Sequence, residues 1–440
     1  MHILQAGDYN TLPLPLIKQI LMKKNRLTIY ILIAMVAGII TGYFVHTNSS
    51  EEFITKFSTN IKLLTTIFLR LVLMIIAPLV FSTLVVGIAK LGDLKTVGRV
   101  GGKALLWFVT ASLVSLLLGM VLVNFFQPGT AIDLSNADTA GAKDLLGKTQ
   151  EFSLLKFVEH VFPKSLIEAM ATNEILQIVV FSIFFGVALT AIGDYAKPVL
   201  KGLDSLSHII LKMVGYVMNF APLGVFGAMA AVIALKGLSV FFFYGKYMLY
   251  FLVGIGILWA ILLGVGFLIL KNRIPALIRR IAQPLVIAFS TTSSEAVFPK
   301  LTEELERFGC KDKIVAFILP LGYSFNLDVS MMYMTFASLA IAQAYGIHMD
   351  IGTQITMLLV LMLTSKGVAG VPRASLVVVT ATCAMFNIPP EGIALILPID
   401  HFCDMFRSMT NVLGNALATS VVSKWEGELE GGEQLIIHNS

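Results

Sequence analysis

Six apolar segments follow one another in the first 270 residues, at about 27–46, 60–90, 101–126, 172–193, 203–235 and 240–270. About 20 apolar residues in a helix span the roughly 30 Å hydrocarbon core of a bilayer, and longer segments are expected to tilt. Hydrophobic residues make up 57% of the chain and charged residues only 13%. The pattern therefore predicts an all-α polytopic protein embedded in a lipid bilayer and excludes an ordinary globular domain.

The charged residues that flank these segments predict the orientation of the chain. Lys24 and Arg26 precede the first segment, whereas Glu51 and Glu52 follow it. Because cytoplasmic loops carry the excess of Lys and Arg, residues 1–26 are expected to form a cytoplasmic N-terminus, and no signal-peptide pattern precedes the first segment. The net charge of +5 comes without a basic block interleaved with aromatic residues. No nucleic-acid partner is therefore expected.

Beyond residue 270, two apolar segments are interrupted midway. Ser290-Thr-Thr-Ser-Ser-Glu295 interrupts the segment 275–308, and a stretch with two glycines and a proline, 364–373, interrupts the segment 351–388. Non-helical backbone at membrane depth is tolerated only where protein or a water-filled cavity surrounds it. Paired interruptions of this kind are typical of a transporter binding site. Both segments are therefore predicted to be re-entrant helical hairpins, and an ordinary extramembrane loop remains the alternative for each.

The last apolar span, 390–423, carries polar side chains every three or four residues, which places them on one helix face. They are Asp400, Asp404, Arg407, Asn411 and Asn415. A charge at bilayer depth costs at least ~2.5 to 3.5 kcal/mol, so such residues indicate a path for a polar substrate or ion. Arg can hold a carboxylate with its planar fork, and Asp can accept from an ammonium group. The face suits a zwitterion with a second acidic group, and a buried ion-pair network that only joins helices is the alternative.

A second polar motif lies in the span 313–344, where Asn326-Leu-Asp328-Val-Ser330 interrupts an apolar helix. Hard cations prefer oxygen ligands of this kind, and an unwound turn would add backbone carbonyls. The motif therefore indicates a cation site. A polar turn satisfied by neighbouring backbone is the alternative.

Two other functional classes fit the sequence less well. An enzyme would need a nucleophile with a base or a metal constellation, and His401 beside Cys403 lacks a third group. The cysteines show no paired spacing, so neither a metal centre nor a disulfide framework is expected. A channel or receptor would also place charges at depth, but it would not need two interrupted hairpins around one site.

Four motifs, in order, resemble the dicarboxylate/amino acid:cation symporter family, which includes the glutamate transporters. They lie at 290–295, 326–328, 367–372 and 400–415, and the similarity extends from the first apolar segment to Trp425-Glu426. The resemblance implies eight transmembrane helices plus two re-entrant hairpins, assembled as a homotrimer in the inner cell membrane. It also implies that a transport domain moves like an elevator against a fixed scaffold.

In this architecture the region 27–270 would contain helices 1 to 6, of which helices 1, 2, 4 and 5 form the scaffold. Helices 3 and 6 would join the region 271–424 in the transport core. That region would hold hairpin 1, helix 7, hairpin 2 and helix 8, and residues 425–440 would form a cytoplasmic C-terminal tail.

The resemblance also implies roles for single residues. Arg407 matches the arginine that holds the side-chain carboxylate of the substrate, Asp404 the aspartate that takes its amino group, and Asn411 the asparagine near its backbone carboxylate. Further substrate-lining positions are matched by Ser293, Ser294, Ser330, Val371 and Ser408. Positions associated with the cation sites or their support are matched by Asp328, Asn326 and Asp400. Neutral amino acid carriers of the family lack the arginine and dicarboxylate carriers lack the aspartate. The expected substrate is therefore glutamate or aspartate.

Two departures from the family pattern bear on the coupling ion, which is expected to be H⁺ or Na⁺ without an organic cofactor. Asn415 stands where sodium-coupled relatives have a cation-binding aspartate, and Phe108 stands where their third helix has a tyrosine. Loss of a negative charge should weaken sodium binding. Proton coupling is therefore favoured, with Glu295 as the expected carrier, because a carboxyl group at low dielectric can hold a proton near neutral pH.

The alternative is a sodium-coupled symporter of amino acids or C4-dicarboxylates. In that case Asp328, Asn326 and Asn411 would be the expected ligands of the sodium ion.

Overall fold

The computed structural model describes residues 14–91, 94–131, 158–159, 161–238, 244–365 and 374–430, and over these residues the chain is helical. The helices, in chain order, are α1 Leu14–Asn48, α2 Glu51–Leu91, α3 Leu94–Phe126, α4 Leu166–Ala171, α5 Ile175–Ile192, α6 Lys197–Met218, α7 Ala221–Lys236, α8 Gly245–Leu270, α9 Ile274–Thr291, α10 Phe298–Phe308, α11 Asp312–Phe325, α12 Asp328–Ala344, α13 Ile351–Thr364, α14 Ala374–Met385 and α15 Leu397–Trp425. Extended pairing in the described residues is limited to a bridge between Cys310 and Leu429.

Six stretches of helix within the described residues are long and apolar enough to cross a membrane. They are Ile29–Asn48, Glu51–Ala89, Lys95–Phe126, Ile175–Met218, Gly245–Thr291 and Asp312–Ala344. Helices α7, α13 and α14 are apolar but shorter. The prediction of an all-α protein with repeated membrane spans is therefore confirmed.

One predicted span is divided between two helices. The continuous apolar run predicts a single helix over 203–235, but α6 ends at Met218 and α7 begins at Ala221. Pro222 lies in the first turn of α7, where its missing N–H would have no intrahelical partner in any case. The hydrophobic pattern continues unchanged across the break, so apolar length alone could not locate it.

The smaller of two compact units comprises Met1–Leu69 and Tyr216–Gly237. In it α1 packs so closely on α7 that a Cβ on Gly38 would lie 2.7 Å from a carbonyl oxygen of α7. Small residues allow helix backbones to approach this closely in membranes. The hydroxyls of Ser58 and Thr65, on α2, donate to carbonyls of α7 at 3.3 and 2.8 Å. Close backbone packing and these hydrogen bonds hold the three helical segments together.

The larger unit comprises Arg70–Gly215 and Leu238–Ser440. In it α12 packs against α3, and α15 packs against α8, α9 and α11. Every residue of α12 from Asp328 to Ala342 is buried, as is every residue of α15 from Thr410 to Ser423. Helices that are buried on all sides occupy the interior of a fold. The polar motifs predicted from the sequence therefore lie on the two innermost helices of this unit.

The first interrupted segment consists of two helices joined by a turn. Helix α9 ends at Thr291, Thr292 adopts a left-handed φ of 52°, and a 3-10 turn at Glu295–Val297 leads into α10. Helix α10 packs back against α9. We call α9 and α10 the first helix pair. Helices α13 and α14, which pack together and flank the second interruption, form the second helix pair. Residues 366–373 lie outside the described residues, and the predicted position Val371 is among them.

Candidate functional site

Helix α15 carries its polar face into the interior of the larger unit. Asp400, Arg407, Asn411 and Asn415 are each at most 4% exposed, whereas the side chain of Asp404 is 27% exposed. Buried charges persist in proteins only when they are paired and hydrogen-bonded. The partners of these side chains therefore determine what the face can bind.

Arg407 is the centre of a charge network. Its Nη2 and Nε donate to Asp404 Oδ1 at 2.7 and 3.1 Å, and its Nη1 donates to Asp400 Oδ1 at 3.1 Å. The guanidinium carbon lies 4.1 Å from the centroid of the Tyr333 ring, and the Tyr333 hydroxyl donates to Asp400 Oδ1 at 2.8 Å. Two carboxylates and an aromatic face thus offset the cost of burying this cation. Asp404 is the more exposed of the two carboxylates, so it is the one that an incoming anion could displace.

The break between α11 and α12 brings backbone N–H groups to this face. Asn326 and Leu327 have ψ values of 67° and 61°, which are not helical, and α12 begins at Asp328. The first N–H groups of a helix have no intrahelical partner. Asn411 supplies one, because its Oδ1 accepts from Val329 N at 3.2 Å while its Nδ2 donates to Ser330 Oγ at 2.9 Å. Asn411 therefore joins α15 to the start of α12.

A cluster of oxygen and nitrogen atoms lies next to this break. Asp328, Asn326 and Asn415 are each at most 1% exposed, and Asn326 Nδ2 donates to Asp328 Oδ2 at 3.3 Å. Asn326 Nδ2 also donates to Asn415 Oδ1 at 3.1 Å. With the Asn415 amide turned, its nitrogen would instead lie 3.3 Å from the carbonyl oxygens of Gly322 and Asn326, and the Asn326 amide would have to turn with it. Amide orientation is assigned from hydrogen bonding. In that orientation two carbonyls that a cation could use receive an N–H group.

The remaining oxygens at the break fit a small hard cation. They include the Asp328 carboxylate and Asn326 Oδ1, which, with both amides unturned, is buried without a hydrogen-bond partner among the described residues. An oxygen in that position can coordinate a cation without giving up an existing bond. The residues that were predicted as possible sodium ligands are thus brought together, since Asn411 contacts the same turn.

Gly414 sets the distance between α15 and this cluster. A Cβ at residue 414 would overlap Asp328 Oδ2 and lie 3.2 Å from Asn326 Nδ2. Gly414→Ala is therefore expected to destabilise the protein by ~1–3 kcal/mol through overpacking, and to reduce coupled transport. The measurement is the thermal unfolding midpoint of the purified variant.

The matched control for that prediction is Gly264→Ala on α8, where a Cβ would meet no atom of the described residues within 4 Å. This control should keep or slightly raise the midpoint, because alanine favours a helix more than glycine does. Equal midpoints for the two variants would show that the contact between α15 and Asp328 can relax at no cost.

The turn of the first helix pair holds the predicted serines and the predicted proton carrier. Ser293 Oγ accepts from Ala296 N at 3.1 Å, which stabilises the turn, and Ser293, Ser294 and Glu295 are all partly buried. The ring of Phe289, near the end of α9, packs edge-on against Phe406 of α15 at 4.9 Å between centroids. This contact places the end of α9 next to the residue that precedes Arg407.

Glu295 begins the 3-10 turn that leads into α10. Three residues further on, the ring of Phe298 packs against Tyr323 of α11, with 5.3 Å between centroids. The predicted proton carrier is therefore a partly buried carboxyl group in the turn of the first helix pair.

Sequence reasoning missed some of the residues that shape this site. Tyr333 stacks on Arg407, and Gly322 and Gly414 allow the close approach of Asn415 and Asp328. A tyrosine and two glycines in apolar helices carry no pattern that separates them from packing residues. Of the other predicted positions, Ser408 is 6% exposed on α15 and Phe108 is buried on α3.

Comparison with known proteins identifies one family over nearly the whole chain. The profile of the Sodium:dicarboxylate symporter family matches residues 27–425. A C4-dicarboxylate transport protein of Acinetobacter baylyi is 40% identical over 413 residues, which cover 91% of each chain. A proton/sodium-glutamate symport protein of Geobacillus stearothermophilus is 38% identical over 421 residues, which cover 94% of this chain and 98% of the relative. A C4-dicarboxylate transport protein of Rhizobium etli is 40% identical over 420 residues, which cover 93% of this chain and 91% of the relative.

The match confirms the family resemblance inferred from the four motifs. The family and these relatives are transporters, which also confirms that the protein is not an enzyme. The apolar helices make it a multi-pass membrane protein. The chain therefore belongs to the sodium:dicarboxylate symporter family, and it moves a small molecule across a membrane together with a cation.

Proposed function

We propose that the protein is a secondary active symporter that takes up acidic amino acids, glutamate or aspartate, together with protons. The observation that carries this proposal is the pairing of buried Arg407 with the partly exposed Asp404 on one helix face, at 2.7 Å. An amino acid with an acidic side chain offers a carboxylate to the guanidinium and an ammonium group to the carboxylate. Arg407 then pairs with the substrate carboxylate, and Asp404 pairs with the substrate ammonium group, in place of their pairing with each other.

This exchange favours an amino acid over a C4-dicarboxylate. A dicarboxylate could replace Asp404 on Arg407, but it would leave the Asp404 carboxylate without a cation beside another negative charge. An unpaired charge in a desolvated site is strongly destabilising. The C4-dicarboxylate reading is the second candidate, because relatives of Acinetobacter baylyi and Rhizobium etli carry that name. The relative of Geobacillus stearothermophilus is named for glutamate.

The net charge of the site supports coupling to a cation. Three carboxylates, Asp328, Asp400 and Asp404, share the interior with the guanidinium of Arg407. Glutamate would add a further negative charge to this interior. Added charge at membrane depth is expensive unless an opposite charge or a proton enters with it. The substrate and the coupling ion should therefore bind together.

We propose the proton as that ion, because Asn415 brings a neutral amide and not a further carboxylate to the cluster with Asn326 and Asp328, and a missing negative charge weakens sodium binding. Glu295 is the proposed carrier of the proton, and Asp328 is the second candidate for that role. Asp400 and Asn415 are proposed to support the coupling site. The alternative is sodium coordinated by Asp328, Asn326 and Asn411, whose oxygens would fit that ion. No organic cofactor has a part in either scheme.

The remaining parts of the proposal are those that the resemblance to the family implies. Asn411, Ser293, Ser294, Ser330, Val371 and Ser408 would line the substrate. The chain would form eight membrane helices and two re-entrant hairpins, with residues 27–270 divided between scaffold and core and 271–424 in the moving core. It would work as a homotrimer in the inner cell membrane, with the N-terminus and the tail 425–440 in the cytoplasm.

Asp404→Ser tests the proposed role of the ammonium partner. The variant should lose at least about tenfold in glutamate affinity, because the substrate ammonium would lose its carboxylate. It should keep or gain transport of succinate, which carries no ammonium group. The measurement is uptake of labelled glutamate and succinate into proteoliposomes. Asp194→Ser, at a side chain that is 88% exposed, is the matched control. A folded Asp404→Ser protein that loses both substrates equally would indicate a structural role for Asp404.

A further inference from the structure

A polar cavity in the larger unit lies between the end of α3, the end of α12 and the start of α13. Its volume is about 140 Å³, and Ala342 of α12 forms part of its apolar wall. The polar side chains that line it are Asn124, Gln127, Thr130, Gln343, His348 and Gln354. Gln343 lies ~22 Å along α12 from Asp328, at a rise of ~1.5 Å per residue. Among the described residues, none that was assigned above to the substrate or the ion lines this cavity.

Two carboxamides join α3 to α13 at one wall of the cavity. Asn124 Nδ2 donates to Gln354 Oε1 at 2.6 Å, and Gln354 Nε2 donates to Asn124 Oδ1 at 3.2 Å. Each nitrogen also donates to a backbone carbonyl of its own neighbourhood, that of Met120 for Asn124 and that of Met349 for Gln354, both at 2.9 Å. Gln354 is only 5% exposed. The pair therefore fixes the first turn of α13 against the last turns of α3.

A third carboxamide joins α12 to the chain that follows α3. Gln343 Nε2 donates to Val123 O at 3.0 Å, and Gln343 Oε1 accepts from Gly129 N at 3.2 Å. Gly129 belongs to the 3-10 turn Pro128–Ala131, and a Cβ on it would overlap the carbonyl oxygen of Ala340. The turn thus packs directly on α12. Hydrogen bonds and close packing therefore hold the walls of the cavity in place.

The hydrogen-bonding capacity that these side chains retain is mainly that of acceptors. A carboxamide has two N–H groups and an oxygen with two lone pairs. The contacts above use both N–H groups of Asn124 and of Gln354, and each of the two oxygens accepts one bond, so each can accept one more. Gln343 can still donate one bond and accept one. Thr130 donates its hydroxyl to Gln127 O at 2.8 Å and can still accept. A ligand with several donor groups would match this lining best.

The charge of the lining argues for an uncharged ligand. Among the described residues, no carboxylate, lysine or arginine lines the cavity. A fully charged ligand would therefore lose its hydration without gaining an opposite charge, which is costly. Hydroxyl groups supply donors without a net charge.

The volume sets the size of the ligand. An engineered apolar cavity of ~150 Å³ holds one benzene molecule. The present cavity has nearly the same volume, but much of its wall is polar. Glycerol has as many non-hydrogen atoms as benzene, and it carries a hydroxyl group on every carbon. A three-carbon polyol therefore fits both the size and the hydrogen-bonding character of the cavity.

We propose that this cavity is a second binding site, for a small uncharged polyol of the size of glycerol, and that the bound polyol bridges α3, α12 and α13. Its hydroxyl groups donate to the oxygens of Asn124, Gln343 and Gln354, one on each helix. The bridge restrains the start of the second helix pair, because Gln354 lies in the first turn of α13. The site is independent of the substrate and of the coupling ion proposed above.

Binding is tested by saturation-transfer NMR on the full chain in lipid nanodiscs prepared without glycerol. The glycerol signal should saturate, with a dissociation constant on the order of 1 mM for a ligand of so few atoms. Glycine, a zwitterion, and succinate, a dianion, serve as competitors. Neither should displace glycerol, because the site lacks charged partners and is separate from the transport site.

Three variants locate the binding. Ala342→Met extends a flexible side chain into the cavity and should abolish the saturable signal. Thr130→Val removes one acceptor and keeps the shape, so it should weaken binding about three- to tenfold. Thr356→Val on α13 is the matched control, because Thr356 is also exposed and its hydroxyl also donates to a backbone carbonyl, at 3.0 Å. This control should bind glycerol as the wild type does.

Hydrogen exchange tests the bridge itself. Saturating glycerol should slow exchange of the amides in residues 351–358 of the wild type and of Thr356→Val, but not of Ala342→Met. A general effect of the polyol as an osmolyte would appear equally in all variants. A glycerol signal that rises linearly without saturating, that persists in Ala342→Met, or that succinate displaces would overturn the site. If Ala342→Met does not fold, equal affinities of Thr130→Val and Thr356→Val would overturn it. Saturable binding without slower exchange in α13 would overturn the bridge.

Discussion

Replacing Arg407 with cysteine should abolish uptake of glutamate at micromolar concentration and open the site to neutral amino acids. Arg407 is 2% exposed, and its guanidinium pairs with both Asp400 and Asp404. Removing one partner of a buried, hydrogen-bonded charge pair typically costs 2 to 5 kcal/mol, which is roughly 30-fold or more in affinity. A neutral amino acid would still offer its ammonium group to Asp404. Competition of alanine and serine against labelled glutamate measures the change in specificity.

Two further substitutions separate the charge of Arg407 from its shape. Arg407→Lys keeps the positive charge but lacks the planar fork, so it should bind glutamate more weakly than wild type and better than Arg407→Cys. Arg279→Cys, at an exposed arginine of α9, should transport as the wild type does. A glutamate affinity in Arg407→Cys equal to that of the wild type would remove Arg407 from the substrate site.

Glu295→Gln should uncouple transport from the proton gradient. The glutamine side chain has nearly the same shape but cannot bind or release a proton, and Glu295 is the acidic group in the turn of the first helix pair. Exchange of labelled for unlabelled glutamate across the membrane should persist, because the substrate still binds and crosses. Net accumulation driven by protons should fall to the level of empty liposomes. The measurement is the ratio of exchange to accumulation in one preparation.

Asp328→Asn is the comparison that makes this result specific. Asp328 is fully buried at the break between α11 and α12, and Asn326 Nδ2 donates to it. A loss of proton-driven accumulation in Asp328→Asn, with normal accumulation in Glu295→Gln, would transfer the carrier role to Asp328. Loss of exchange as well as accumulation in Glu295→Gln would point to substrate binding instead of proton transfer.

The polar face of α15 could be found from the sequence because charge in an apolar helix is costly and its spacing is periodic. Asp400, Asp404 and Arg407 meet in the structure as the three-to-four-residue spacing predicts. The break at Asn326 could be found for the same reason, since polar residues interrupt an apolar run. These features are local, and local patterns are what a single sequence reveals.

Contacts between distant parts of the chain could not be found in this way. Tyr333 of α12 contacts Arg407 of α15, and Glu426 contacts Arg99, which lies 327 residues away in the chain. The spacing of these residues in the sequence does not indicate that they are in contact. The amide of Asn411 illustrates a further limit, because the sequence predicts a ligand while the structure uses its oxygen and nitrogen at the start of α12. A polar side chain can hydrogen-bond the backbone at a helix end and can also bind a substrate. The first of these roles is seen only when the contacts between the helices are known.

Uptake of labelled glutamate into proteoliposomes of the wild-type protein tests the central claim most directly. An inward proton gradient is imposed in sodium-free buffer, and a sodium gradient at equal pH is imposed in parallel, with aspartate, succinate and alanine as competitors. We expect concentrative glutamate uptake with the proton gradient alone, collapse of that uptake by a protonophore, and competition by aspartate but not by alanine. Accumulation that requires sodium and ignores the proton gradient, or a preference for succinate over both acidic amino acids, would contradict the account.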